Sequence, residues 1–152
     1  MTHVRTDVVQ LIIDHYGYTS YLEIGIGNTR NHSLIKCENK ISVDPNGRAM
    51  YKMTSDKFFE EHAHEHQLDV IFIDGDHTKE QVEKDIDNSL KRLLPNGTIV
   101  FSFKQKLTGK MLKVARIGHG DPLAGALCVS CRSWGQRVRD FLKNARVFLE
   151  VC

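Results

Sequence analysis

The sequence predicts an α/β fold, an open and mostly parallel sheet lying between two layers of helices, and three observations carry that prediction. Short apolar, β-favouring runs alternate with helical segments five times before residue 104. The run at residues 70–73 is apolar throughout rather than alternating, as expected of a parallel strand covered on both faces. The turns that follow the first and fourth runs concentrate Gly, Asp and Asn, which suit tight backbone and polar contacts.

Val8, Val9, Ile12, Ile13 and Tyr16 recur at helical spacing and Gly17 follows as a C-cap, so the chain opens with a helix. Residues 21–24 read as the first strand, ending in Gly25. Residues 40–43 read as the second, ending at Asp44-Pro45, where the proline ring bars easy continuation. A short helix near residues 31–36 joins them. Residues 49–53 form a weak third strand, and residues 55–66 a helix with Phe58, Phe59 and Ala63 inward. The fourth and central strand is 70–73.

Thr78 and Gln81 have the spacing of a capping box, and Val82, Ile86, Leu90 and Leu93 follow at intervals of four, four and three along one helical face. Pro95-Asn96-Gly97 stops that helix, and residues 98–103 resume as the fifth strand. Residues 104–131 show no recognisable element. Ser133 opens an amphipathic helix with Trp134, Val138, Phe141, Leu142 and Ala145 on one side, and residues 145–151 read as a sixth strand. Right-handed crossovers between such units give a Rossmann-like three-layer sandwich with strand order 3-2-1-4-5 plus the sixth strand. Ligands in such sheets bind beyond the carboxyl ends of the strands where the order reverses, here between the first and fourth.

A length of 152 residues suits a single domain, divided into a core at residues 1–103 and a basic, divergent part at 104–152. Apolar content of 41% with 26% charged residues excludes a disordered chain. No apolar run approaches the ~20 residues that cross a bilayer, and MTHVRTDVVQ lacks the layout of a secretion signal, so a cytoplasmic location is expected. The four cysteines are then expected as free thiols, and the lone Cys128/Cys131 pair, without a second cysteine pair, would have to borrow distant histidines such as His119 to hold zinc. Residues 1–103 hold 11 Lys and Arg against 16 Asp and Glu, whereas residues 104–152 hold 10 against 3. The basic part has few interleaved aromatics, which favours a solvated face over a nucleic-acid surface. His62, His64 and His66 lack a third fixed ligand beyond the His62/His66 pair and read as a solvated helix end.

The chemistry-bearing residues gather where strands end. The first strand runs into LEIGIGN, in which Gly25 and Gly27 suit close approach of backbone to a ligand and Glu23 stands two positions before them. Arg30 takes the place of the third glycine of a dinucleotide fingerprint, which weighs against an NAD-binding oxidoreductase. Asp44 closes the second strand, where a carboxylate can accept from both hydroxyls of a ribose. Asp56 opens the helix after the third strand. The stretch DVIFIDGDH delivers Asp74, Asp76 and His77 together at the end of the fourth strand.

LEIGIGN with its acidic residue resembles motif I of class I S-adenosylmethionine-dependent methyltransferases. FIDGDH, with the EQVEKDIDNSLKRLLPNG that follows, resembles motif IV of their small-molecule group, so the likeness covers residues 21–100. The resemblance implies S-adenosylmethionine as cofactor, held by Glu23, Gly25, Gly27, Asn28, Asp44, Asp56 and Asp74. It implies methyl transfer to a small-molecule oxygen or nitrogen, with His77 and Asp74 as catalytic groups and imidazole as general base. The phrase that ends the fifth strand of metal-dependent relatives is replaced here by Phe101-Ser102-Phe103-Lys104, so no metal is expected. That departure also leaves open a degenerate cofactor-binding module without catalysis. The full fold of the family ends in an antiparallel strand that this sequence is expected to lack, leaving an edge for a second copy of the chain to cover.

Overall fold

A computed structural model describes residues 4–105, 109–116 and 126–129. The expected helix at 133, the strand at 145–151 and Cys131 lie outside the described residues, as do the side chains of Lys104 and Cys128.

Helix α1 (Val4–Tyr16) leads into strand β1 (Ser20–Ile24), the short helix α2 (Arg30–Leu34) and strand β2 (Asn39–Val43). Helix α3 (Ser55–Glu61) and one 3-10 turn (Ala63–Glu65) precede strand β3 (Leu68–Ile73), which is followed by helix α4 (Lys79–Arg92) and strand β4 (Leu93–Gln105). Strands β5 (Gly109–Arg116) and β6 (Ala126–Val129) complete a six-stranded sheet of order β2-β1-β3-β4-β5-β6. β1 pairs in parallel with β2 and β3, and β3 in parallel with β4.

The two faces of the sheet bury separate sets of residues, as the twofold period of a strand requires. Val70 and Phe72 face Val8, Val9, Ile12, Ile13 and Ile35 from α1 and the α2 loop, while Ile71 and Ile73 face Phe58, Phe59 and Ala63 from the α3 region. This double cover explains the unbroken apolar run in β3. Among the described residues no helix is long and apolar enough to cross a membrane.

Several expectations need correction. The weak third strand reduces to one parallel bridge, Val43 to Tyr51, at the outer edge of β2. The helix expected over residues 55–66 ends at Glu61, and His62 and His66 pack on the Tyr51 ring instead of pointing to solvent. The capping box does not form: Thr78 makes no side-chain cap, and the Gln81 amide turns to α3. On α4 the buried residues are Asp85 and Ser89, whereas Leu90, expected inward, is 36% exposed. β4 begins earlier than expected, because Leu93 pairs with Leu68 before the Asn96 turn at φ +67° shifts the register. Finally, the sheet does have an antiparallel continuation: β5 runs antiparallel to β4 and β6 to β5, so the chain's own segment covers the β4 edge.

Candidate functional site

The carboxyl ends of β1, β2 and β3 meet at one side of the sheet, and the loops leaving them wall a cavity of about 980 Å³. Glu23, Gly25, Gly27, Asn28, Asp44, Asp56 and Asp74 all line it. Gly25 at φ +82° and Gly27 at φ +48° adopt the left-handed backbone that glycine tolerates without a Cβ penalty. His77 does not line the cavity.

Asp44 ties the two loops together. Its Oδ2 accepts the Gly27 N–H at 3.0 Å and its Oδ1 accepts the Asn46 N–H at 2.8 Å. Each oxygen retains acceptor capacity, so the carboxylate is both a loop clamp and a fixed acceptor at the cavity wall. Asn28 contributes differently: its Oδ1 accepts the Arg30 N–H at 3.2 Å and turns the loop into α2.

Glu23 is 1% exposed and is held from below. The Tyr21 hydroxyl donates to its Oε2 at 2.6 Å, and the Asn31 amide donates to the same oxygen at 3.2 Å. The Thr6 hydroxyl in turn donates to Asn31 Oδ1 at 2.7 Å, which fastens the first turn of α1 to this network. Burial pushes the Glu23 carboxyl up to about 7, partly offset by these two hydrogen bonds. Burial, with the Glu23 charge beside it, holds the Tyr21 hydroxyl well above its ordinary value.

At the end of β3, Asp74 pairs with Arg5 of α1, and the His77 Nε2 lies 3.8 Å from its other oxygen. The structure thus brings His77 to Asp74 but leaves it out of the cavity lining. Ser102 of β4 lines the cavity, and its buried Oγ has no hydrogen-bond partner among the described residues.

The fourth corner joins α3 to α4. Gln81 donates to Ser55 Oγ, Asp56 Oδ1 and Asp85 Oδ1, and the Lys84 ammonium donates to Asp56 Oδ2 at 3.0 Å. These hydrogen bonds from Lys84 and Gln81 hold the Asp56 carboxyl below its usual range, whereas burial raises that of Asp85. Sequence reasoning missed Arg5, Asn31, Gln81, Asp85 and Ser102. The only available signal was the four-residue spacing of Gln81, Asp85 and Ser89, a polar stripe beside the apolar one.

Six acidic residues, Glu23, Asp44, Asp56, Asp74, Asp76 and Asp85, line this cavity against Arg5 and Arg30. A glycine turn, a carboxylate closing β2 and an acidic cavity thus meet at the switch point of an open α/β sheet, where such folds bind their ligands. A family profile described as a methyltransferase domain matches residues 18–102, more than half of the chain, and the chain belongs to that family. No curated protein matches it in sequence.

Solved structures share the fold. An O-methyltransferase from Bacillus cereus, in complex with SAH, superposes with a TM-score of 0.56 at 14% identity, over 67% of this chain and 57% of that one. A hypothetical protein of Thermus thermophilus superposes with a TM-score of 0.56 at 11% identity, over 78% of this chain and 86% of that one. The MycE methyltransferase of the mycinamycin pathway, in complex with Mg and SAH, gives a TM-score of 0.50 at 15% identity, over 60% of this chain and 30% of MycE. The chain therefore spans a little over half the length of the Bacillus enzyme and under a third of MycE.

Proposed function

We propose that this chain binds S-adenosylmethionine and transfers its methyl group to an oxygen or nitrogen of a small-molecule acceptor. The observation that carries the reading is Asp44: a carboxylate clamped by two backbone N–H groups at the end of β2, in one cavity with the Gly25 turn and Asp74. The residues present fit the cofactor. A Cβ added at Gly27 would meet nothing within 4 Å, so the backbone there is open to a ligand. The excess of carboxylates over arginines favours a cationic ligand.

S-adenosylmethionine supplies an already activated methyl group on a sulfonium. Asp44 accepts from the ribose hydroxyls, and Gly25 and Gly27 keep side chains out of the ligand's way, with Asn28 shaping the loop. Glu23 and Asp74 face the amino-acid end. Asp56 lines the opposite, purine end. Methyl transfer asks the protein chiefly for alignment of acceptor and methyl carbon. Asp74, backed by His77, takes up the acceptor's proton.

Calorimetry with S-adenosylmethionine and S-adenosylhomocysteine, followed by radiolabelled methyl transfer to a panel of hydroxylated and amine-bearing small molecules, tests the proposal. Saturable binding and labelled product are expected. Binding without product from any acceptor would reduce the reading to a cofactor-holding module, and no heat at millimolar ligand would end it.

A further inference from the structure

Glu23 lines the cavity, is screened from water, and forms no ion pair among the described residues. Its two donors are both neutral, the Tyr21 hydroxyl and the Asn31 amide, and both reach the same oxygen, Oε2. The Thr6 hydroxyl fixes Asn31 by its Oδ1, which leaves the amide nitrogen turned to Glu23. Oε1 receives no donor among the described residues, so it is the atom on which a proton rests.

The surroundings supply little countercharge. From α1, the Arg5 guanidinium goes to Asp74 instead. From α2, His32 stacks on the Tyr21 ring and Arg30 lines the same cavity. The Lys40 ammonium of β2 donates to the carbonyls of His32 and Ile35. At the end of β3 stands Asp74, a second carboxylate in the same cavity. A carboxylate out of water and without a cation is costly, so the neutral acid is favoured. Burial accordingly raises the Glu23 carboxyl to about 7; the two hydrogen bonds offset part of the effect and Asp74 adds to it. A cation brought within about 4–6 Å reverses that preference.

Resting on the S-adenosylmethionine reading above, we propose that Glu23 is a neutral acid in the free protein and releases its proton when the cationic end of the ligand docks, so that pH controls cofactor affinity. The O–H bond at Oε1 breaks, its electron pair stays on the carboxylate, and the proton passes to the buffer. The ligand's charge replaces the proton as counterion. The Tyr21 and Asn31 hydrogen bonds, already in place, hold the anion.

The test is calorimetry of S-adenosylmethionine binding at pH 6 to 8, in phosphate and in imidazole, buffers that take up a proton with different heats. The wild type is expected to release most of one proton per ligand at ~pH 6, seen as a difference in heat between the buffers, and less as the pH rises through about 7. Its affinity is expected to rise with pH over the same range and then level off. Glu23→Gln has no proton to release and is expected to give equal heats in both buffers. Equal heats in the wild type, or a buffer difference that persists in Glu23→Gln, overturns the proposal.

If Glu23→Gln is unfolded by circular dichroism or binds too weakly to titrate, Tyr21→Phe decides. It removes a donor that favours the carboxylate, so proton release is expected to persist to higher pH than in the wild type. An unmoved pH profile overturns the proposal. If the wild type binds no ligand at any pH, the cofactor reading fails and this inference with it. If it binds without releasing a proton, only this inference fails.

Discussion

Gly25 and Gly75 meet backbone to backbone across the switch point of the sheet. A Cβ on Gly25 would stand 2.3 Å from the Cα of Gly75 and 2.5 Å from its nitrogen. The Asp74 N–H donates to the Ile24 carbonyl and the Gly25 N–H to the Val43 carbonyl, both at 2.8 Å, so the ends of β1, β2 and β3 close into one wall. Every acidic group assigned to the ligand is hung on that wall or faces it.

Gly25→Ala is accordingly expected to lose about 2–5 kcal/mol of stability, the left-handed penalty added to the strain of overpacking. Gly27→Ala, whose Cβ meets nothing within 4 Å, carries only the left-handed penalty of about 1–2 kcal/mol. Urea unfolding of both variants measures the difference, and equal losses would contradict the close approach.

Asp44→Ala is expected to weaken S-adenosylmethionine binding by about 1.5–3 kcal/mol, the range for hydrogen bonds to a charged group. Part of that loss comes from the loop, because the Gly27 and Asn46 N–H groups lose their acceptor. Asp44→Asn retains an acceptor oxygen and is expected to fall between the two. Isothermal titration gives the order, and an unaltered affinity in Asp44→Ala would remove the ribose assignment.

Glu23 should leave a signature in the pH dependence of stability. Its carboxyl sits at about 7 in the fold, mainly through burial, against 4.5 ordinarily. The folded value is raised, so folding favours the protonated form. Its stabilisation is complete below pH 4.5 and is lost as the pH rises through 7. The loss is on the order of 3 kcal/mol, since one pKa unit corresponds to about 1.4 kcal/mol. Glu23→Gln cannot ionise and still accepts from the Tyr21 hydroxyl. The stability of the wild type minus that of the variant is expected to fall across this window, and a flat difference would rule out the shift.

His77→Gln is expected to lower kcat, but by less than the roughly 10²–10⁴-fold that loss of a general base costs, because His77 acts through Asp74. Because His77 touches Asp74 and does not line the cavity, cofactor affinity should hardly change. A variant that loses affinity while keeping kcat would reverse the assignment and make His77 part of the cofactor wall.

Val70 to Ile73, Gly25, Asp44 and Asp74 were legible in the sequence because local rules mark them: strand polarity is a short-range pattern, and the Gly and Asp turns follow directly on the strands they end. Leu90 misled for the same reason, whereas Ile86 and Leu93 do pack against the core. The spacing describes a helical face, but which residues of it turn fully inward depends on what α3 presents to them. α3 presents Ser55 and Asp56, so α4 buries Asp85 and Ser89.

The sequence by itself determined the winding of the parallel sheet and the edge at which its acidic residues collect, since hydrophobic period and turn chemistry act within a few residues. Only the tertiary structure decided which partner each polar group takes. Gln81 leaves its expected cap for Asp85, Asn31 reaches back to Glu23, and Arg5 crosses from α1 to Asp74. The physical reason is that a buried donor or acceptor must find a partner in the space around it, and that space is assembled from segments distant in the chain.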